Sequence, residues 1–202
     1  FSIVSSKYSS KIIYLRNEVL LKFDQMYNAA LKDSIKLVII SGTRSFNHQK
    51  YIWDRKWAKN IQKMDSISAV KEIMKYSSMP STSRHHWGTD IDLNNLENSY
   101  FEIGEGKKIF DWLVENAFKY GFHMTYDNQE ETKRTGYKME KWHWSYMPIS
   151  EQFLIQFNEY INCENISSFK GSKFACHPKV DVIKNFVNGI NTDFKKIINV
   201  TE

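Results

Sequence analysis

Within ten residues the chain places two imidazoles, two carboxylates and a glycine: Ser83-Arg84-His85-His86-Trp87-Gly88-Thr89-Asp90-Ile91-Asp92. Residues 89–93 alternate polar and apolar side chains, which predicts a short strand whose alternate residues share a face. Gly88 allows a sharp turn before that strand, so His85 can fold back beside Asp92. An imidazole beside a carboxylate is half of a catalytic zinc site, which commonly has three protein ligands and one open position.

A second stretch, Glu140-Lys141-Trp142-His143-Trp144, supplies a further imidazole with a carboxylate three residues before it. On a regular strand Glu140 and His143 would point to opposite faces. Both can therefore serve one metal only if the strand is kinked or ends near Trp142. The predicted metal ligands are His85, Asp92 and His143. Glu140 is then the predicted general base, which takes a proton from water.

Together the two stretches resemble the zinc D-Ala-D-Ala carboxypeptidases and dipeptidases of the VanY and VanX type. The family pattern Ser-x-His-x-x-Gly-x-Ala-x-Asp, followed by Glu-x-Trp-His, is matched by Ser83, His85, Gly88, Asp92, Glu140, Trp142 and His143. Asp90 stands where the family usually has Ala, either as a carboxylate behind the ligands or as a charge that shifts substrate preference. His86 is the rival of His85, and the spacing to Gly88 and Asp92 favours His85. The resemblance covers about residues 39–146.

The resemblance implies an α+β fold of the hedgehog and DD-peptidase kind, with a small, mainly antiparallel sheet that carries the metal and helices packed on it. It also implies one zinc ion per chain. The implied activity is a metallo-carboxypeptidase that acts on the stem peptide of peptidoglycan, as a D-alanyl-D-alanine carboxypeptidase. Two alternatives stay open: an L,D-specific carboxypeptidase or endopeptidase of the same fold, and a catalytically silent module that binds zinc or cell wall.

An arginine follows the first predicted buried strand, residues 36–40, after a glycine turn. In the resembled family this Ser-Gly-x-Arg-Ser block supplies an arginine that meets negative charge on the substrate or the transition state, and here that residue is Arg44. Its planar fork suits a carboxylate or an oxyanion; the alternative is an ordinary surface arginine. Ser83 and Gln49 are further candidates for substrate contacts.

The bulk properties exclude some classes of protein. The 202 residues fit one domain, or one domain with an appendage. The net charge of +5 is compatible with an anionic polymer such as the cell wall, but the mixture of charges does not indicate nucleic-acid binding. No apolar run reaches the roughly 18 residues of a membrane span. The chain begins at Phe1 without Met, and we expect a processed, exported protein of the periplasm or cell envelope, with a monomer favoured.

Apolar periodicity and capping residues predict the remaining elements. The predicted helices cover residues 10–30, 46–61, 69–76, 107–120, 150–161 and 180–187, and the predicted strands cover residues 122–126 and 138–146. Trp53 and Trp57 recur one helical turn apart and are expected in the core. Gly121 is expected to end the fourth helix, Ser150 to cap the fifth and Pro178 to occupy the first turn of the sixth.

Two cysteines, Cys163 and Cys176, lie 13 residues apart. In an exported protein they can form one disulfide, and the alternative is a pair of free thiols. We expect the disulfide, because both cysteines flank a loop rich in Ser, Gly and Lys. The predicted organisation is a peptidase domain over residues 1–162 and a helical appendage over residues 163–202, packed on the same domain.

Overall fold

A four-stranded antiparallel sheet brings the two sequence stretches together. The computed structural model describes residues 1–193. The strands of this sheet are β3 (Ile39–Ser41), β4 (Asp90–Leu93), β5 (Phe122–Met124) and β6 (His143–Tyr146), in the order β3-β4-β6-β5. A separate pair is formed by β1 (Ser2–Ile3) and β2 (Tyr14–Leu15). Because β4 and β6 are neighbours, residues 90–92 lie opposite residues 143–145.

Helices surround the sheet, which confirms the predicted α+β class. They are α1 (Asn17–Lys32), α2 (Phe46–Asn60), α3 (Ser66–Ile73), α4 (Gly104–Asn116), α5 (Gln129–Thr132) and α6 (Met147–Tyr160). Short 3₁₀ turns include Arg84–Trp87 and Ala117–Tyr120, and a π-helical turn covers Ile183–Val187. Gly121, at φ +82°, ends the turn after α4 as predicted. None of the helices within residues 1–193 has the length and apolarity needed to cross a bilayer.

The two faces of the sheet differ in chemistry. Side chains of one face join α1 and α4 in the main hydrophobic core, whose members include Phe23, Met26, Ile91, Leu93, Leu113 and Trp144. On the other face, Asp90 lies opposite Ser145 and Asp92 lies opposite His143. This separation follows from the two-residue period of a strand. The polar face is where the predicted site forms.

A second core holds the C-terminal segment against α2, α3 and α6. Its fully or nearly buried members include Trp53, Val70, Met74, Phe157, Ile166, Phe169, Val182 and Val187. Trp53 donates from Nε1 to the carbonyl of Lys170 at 2.7 Å, while Trp57 is half-buried against the same cluster. A disulfide joins Cys163 and Cys176, as predicted. Residues 163–193 therefore pack on the rest of the chain, and residues 194–202 lie outside the described part.

Several predicted element boundaries were wrong. Strand β6 begins at residue 143 rather than 138, because residues 141–142 form a turn before it and residues 138–140 belong to no regular element. Helix α6 begins at Met147, since Pro148 fits its first turn without losing a needed hydrogen bond. Ser150 is therefore not a cap; its hydroxyl is buried, 2.9 Å from the hydroxyl of Ser145. Residues 180–182 lie before the π-helical turn, so Pro178 does not begin a helix.

Candidate metal centre

Three side chains converge on the polar face of the sheet. The candidate ligand atoms of His85, Asp92 and His143 all lie within 4.8 Å of one another, and all three residues are buried. Asp92 lies between the two rings, with Oδ2 3.3 Å from His85 Nε2 and Oδ1 3.1 Å from His143 Nδ1. The structure thus brings together the three residues that the sequence predicts as ligands.

Each residue arrives from a different local structure. Asp92 and His143 are paired by the β4–β6 register. His85 comes from the 3₁₀ turn, which Gly88 ends at φ +72°, a conformation that favours glycine. A Cβ atom at Gly88 would also lie only 2.3 Å from the ring of Phe1. The turn predicted at Gly88 is therefore confirmed, and it returns His85 to the side of Asp92.

The outer ring nitrogens fix how the two imidazoles point. His85 Nδ1 lies 2.8 Å from the carbonyl oxygen of Gly42, and His143 Nε2 lies 2.9 Å from Asp90 Oδ2. Since a carbonyl accepts, His85 Nδ1 is a donor. The inner nitrogens, His85 Nε2 and His143 Nδ1, lie beside Asp92 and can present lone pairs to a cation when they carry no proton. Metal-binding histidines are held in this way by outer acceptors. The donor set therefore fits a cation such as zinc.

Asp90 belongs to a buried polar cluster behind His143. Its oxygens lie 3.0 Å from Arg84 Nε, 2.6 Å from Thr89 Oγ1 and 2.9 Å from Ser145 Oγ. Burial raises the pKa of Asp90, but the Arg84 guanidinium and the His143 hydrogen bond outweigh it and hold that pKa below its ordinary value. Of the two roles that the sequence left open for Asp90, the geometry supports the carboxylate behind the ligands. The sequence analysis did not assign a role to Arg84 or Ser145.

Glu140 reaches the same centre through the turn before β6. The His143 N–H donates to the Glu140 carbonyl at 3.1 Å, and Glu140 Oε2 lies 3.6 Å from His143 Nδ1. The strand ends where the sequence required a kink, so both side chains face one centre. Burial raises the pKa of the Glu140 carboxyl to about 7. Glu140 is separate from the three-residue ligand group.

The two histidines differ in their affinity for protons. Burial lowers the pKa of His143, but its hydrogen bonds to Asp90 and Asp92 and their charges reverse the shift and raise it to about 9. Burial, reinforced by the Arg44 charge, lowers the pKa of His85, and the nearby Asp92 only partly offsets this. In the metal-free protein His143 therefore binds a proton much more readily than His85.

Arg44 faces the centre directly after β3. Its Nη2 lies 2.7 Å from Asp92 Oδ2 and 2.8 Å from Ser41 Oγ. The predicted substrate role of Arg44 stays a prediction, and the structure adds a contact to a candidate ligand. Gln49 is buried, accepts from Arg44 Nη1 at 3.4 Å and donates to the Ser78 carbonyl at 2.8 Å. Its predicted contact with substrate also stays a prediction.

His86, the rival ligand, points away from the ligand group. Its Nδ1 lies 2.7 Å from the Arg44 carbonyl, and its Nε2 accepts the Ser81 N–H at 3.2 Å. Both ring nitrogens are thus used to hold the backbone around Arg44. This geometry supports the choice of His85.

A cleft of about 1010 Å³ opens above the centre. His85, Asp92, Glu140 and His143 line it together with Arg44 and the predicted substrate residue Ser83. Further walls come from α2, from residues 11–14 and from residues 96–99. Tyr51 on α2 is 65% exposed at the cleft. The space suits an extended peptide that enters from solvent.

The chain is similar in sequence to known proteins. The sequence model of the family described as "VanY: D-alanyl-D-alanine carboxypeptidase" matches residues 12–149. YodJ of Bacillus subtilis (strain 168) is 32% identical over 153 residues, which cover 72% of this chain and 51% of YodJ. The D-alanyl-D-alanine carboxypeptidase of Enterococcus faecalis (strain ATCC 700802 / V583) is 29% identical over 147 residues, 69% of this chain and 52% of that protein.

A solved structure extends the likeness to three dimensions. The LdcB LD-carboxypeptidase, whose structure is described as revealing peptidoglycan recognition, superposes with a TM-score of 0.58 at 26% identity. The match covers 78% of this chain and 72% of that one. By contrast, the chain spans about half the length of the curated relatives that it matches.

Proposed function

The chain belongs to the VanY family of D-alanyl-D-alanine carboxypeptidases, and from this premise we propose that it is a zinc-dependent carboxypeptidase of peptidoglycan stem peptides. The reaction is hydrolysis of the last peptide bond, with release of D-alanine from a D-Ala-D-Ala end. One observation carries the proposal: three buried candidate ligands and a fourth carboxylate, Glu140, converge at the floor of an open cleft.

His85 and His143 would hold the zinc through their inner nitrogens, and Asp92 through a carboxylate oxygen. Zinc supplies Lewis acidity, which lowers the pKa of a bound water towards roughly 7 and polarises a carbonyl. Gly42 and Asp90 keep the two imidazoles aimed inwards, through hydrogen bonds to their outer nitrogens. Three protein ligands leave room for substrate, as a catalytic rather than a structural site requires.

Glu140 performs the proton transfers. Its carboxylate accepts a proton from the attacking water while the water oxygen bonds to the scissile carbonyl carbon. When the carbon–nitrogen bond breaks, Glu140 returns that proton to the departing amine, so the carboxylate is regenerated. A position 3.6 Å from His143 Nδ1 places Glu140 next to the candidate ligands without requiring it as one.

Arg44 meets the negative charge that develops on the carbonyl oxygen. Its Nη2 group contacts Asp92, and its side chain is 19% exposed at the cleft, so a further oxygen can approach the guanidinium. Ser83 lies on the cleft wall, where a hydroxyl can contact the substrate backbone. Fixed donors of this kind stabilise a transition state because they need no reorganisation during the reaction.

A second candidate function is L,D-carboxypeptidase activity, and the similarity to LdcB favours it. The same ligands and base would serve, because both reactions hydrolyse the last peptide bond of a stem peptide. A silent binding module is less well supported, since the three candidate ligands and Glu140 are all present around one cleft.

Mass spectrometry of digested muropeptides tests the proposal. The purified, zinc-loaded protein is incubated with stem peptides that end in D-Ala-D-Ala and with shorter peptides whose last bond is L,D. Loss of one alanine from the first substrate alone supports the D,D assignment, and loss from the second alone supports the L,D alternative. If the zinc-loaded protein cleaves neither peptide, the result supports the catalytically silent binding module instead.

The substrate also bears on location and partners. We place the protein in the cell envelope, where peptidoglycan lies and where a disulfide such as Cys163–Cys176 persists. The partner is the stem peptide, and one chain with one zinc suffices, because all four groups of the centre come from the same chain. The mixed surface charge gives no support for nucleic-acid binding.

A further inference from the structure

The cationic side chains that line the cleft differ in whether they form ion pairs. Arg44 pairs with Asp92, and Arg84 pairs with Asp90. Lys56, on α2, also lines the cleft, but within residues 1–193 its ammonium has no carboxylate at ion-pair distance. Its Nζ instead donates to the neutral Ser77 hydroxyl at 2.5 Å.

The position of Lys56 disfavours its charged form. The side chain is half-buried, and burial lowers the pKa of its ammonium, an effect that the more distant Glu140 carboxylate only partly offsets. A half-buried charge without a partner is stabilised when an anion arrives beside it. The position of Lys56 thus prepares the cleft for a negatively charged group.

The depth of Lys56 matches one particular anion. In a carboxypeptidase substrate, the terminal carboxylate lies one residue beyond the attacked carbonyl, about 3.3–3.6 Å along an extended chain. Lys56 and Glu140 line the same cleft, so the Lys56 side chain borders the space that a substrate beside Glu140 would occupy. Ser77 adds a hydroxyl at the same place.

We propose that Lys56, together with the Ser77 hydroxyl, binds the α-carboxylate of the substrate's C-terminal residue and thereby makes the site specific for chain ends. This rests on the proposed peptidase function. An endopeptidase would present a neutral amide at this position, which would leave the ammonium without a partner. Lys56 is then a specificity-determining residue, distinct from the groups that carry out hydrolysis.

The test compares two peptides that differ only at the C-terminus, as a free acid or as a carboxamide. The zinc-loaded wild type should have a higher kcat/KM for the acid. Lys56→Met should lower kcat/KM for the acid by about 10- to 100-fold, the usual worth of a hydrogen bond to a charged group, with the amide unchanged. Lys56→Arg should restore part of the preference, because it keeps the charge.

A binding measurement separates this site from the proposed function. In the Glu140→Gln background, which should bind peptide but cleave it about 10²- to 10⁴-fold more slowly, calorimetry should show tighter binding of the acid than of the amide. Adding Lys56→Met should remove that difference. Lys59→Met is the matched control, since Lys59 is an exposed lysine on the same helix and does not line the cleft. Thermal midpoints of all variants establish that they are folded.

The possible results distinguish failure of the carboxylate site from failure of the peptidase function. If Lys56→Met lowers turnover of acid and amide equally, Lys56 acts on Glu140 or on the reacting carbonyl, and the proposed site is wrong. Equal binding of acid and amide by the wild-type cleft would also overturn it. If no peptide is cleaved but Lys56-dependent binding of the acid persists, the peptidase function fails and the carboxylate site stands.

Discussion

Asp90 and His143 are joined behind the metal centre, with Asp90 Oδ2 2.9 Å from His143 Nε2, on the side of the ring opposite to Asp92. The contact fixes which nitrogen of His143 faces the cleft. A carboxylate in this position also makes the imidazole a stronger electron-pair donor. The arrangement makes Asp90 a positioning residue for a candidate ligand, and Arg84 supplies the counter-charge that keeps Asp90 ionised.

Asp90→Asn should weaken zinc binding about 10- to 100-fold, the usual effect of losing an outer partner of a metal ligand. The measurement is zinc competition with a chromophoric chelator, on protein shown to be folded by its thermal midpoint. Ser145→Ala is the control, because Ser145 donates to Asp90 without contacting the imidazole. Unchanged zinc affinity in Asp90→Asn would show that the contact does not support the metal.

Zinc binding should release protons and should strengthen as the pH rises. In the metal-free protein the pKa of His143 is raised to about 9, so at pH 7 its imidazole carries a proton that zinc must displace. Calorimetry at pH 7 in buffers of different ionisation enthalpy should therefore detect about one proton released per zinc from this residue. An apparent affinity that does not change between pH 6 and pH 9 would contradict the assignment of His143.

The raised pKa of His143 also determines how the stability of the metal-free fold changes with pH. Because the folded pKa of His143 lies above its unfolded value of 6.5, its contribution is complete below that value and is lost as the pH rises through about 9. Zinc binding opposes this loss, since the neutral imidazole becomes a ligand. Metal-free and zinc-loaded protein should therefore diverge most in thermal midpoint at alkaline pH.

Arg44→Lys should lower turnover while the fold remains intact. A lysine keeps the charge, but a single ammonium cannot reproduce the contacts of the guanidinium with both Asp92 and Ser41 while offering a further donor to substrate. The readouts are kcat/KM on a D-Ala-D-Ala peptide and the thermal midpoint. Arg55→Lys serves as the control, because Arg55 lines the outer cleft. Full activity of Arg44→Lys would refute the role.

The sequence predicted the residues of the candidate metal centre more completely than their surroundings. Spacing predicted that His85 lies beside Asp92 and that Glu140 lies close to His143, because a turn and a strand of known period determine how such close neighbours can face one another. The family resemblance, not the spacing, paired the two stretches. The role of Arg84 was missed. Its partner Asp90 is only six residues away, but the contact with Ser145 depends on the β4–β6 register, which the sequence alone does not specify.

Tertiary packing explains the other omissions. Lys56 reaches Ser77 because α2 and α3 pack against each other and bring the loop after α3 to the cleft. Gln49 is buried and donates to the carbonyl of Ser78, a contact that the sequence did not indicate, and its predicted contact with substrate stays a prediction. The start of α6 was misplaced because Ser150, which is a good cap in isolation, is instead used inside a buried polar cluster.

The proposed mechanism depends most on Glu140 acting as a base that is not a metal ligand. Replacing it with Gln keeps the size of the side chain and its capacity for hydrogen bonds but removes the basic carboxylate. Zinc content and thermal midpoint should therefore stay close to those of the wild type. Glu97→Gln is the matched control, since Glu97 is an exposed carboxylate lining the same cleft.

The decisive measurement is the turnover of a D-Ala-D-Ala peptide by zinc-loaded Glu140→Gln, with the bound metal determined on the same sample. The proposed mechanism predicts a wild-type zinc content and a turnover rate reduced by about 10²- to 10⁴-fold, the usual contribution of a general base. Glu97→Gln should turn over at the wild-type rate. A zinc-free Glu140→Gln would make Glu140 a ligand, and a fully active, zinc-loaded variant would show that another group takes the proton.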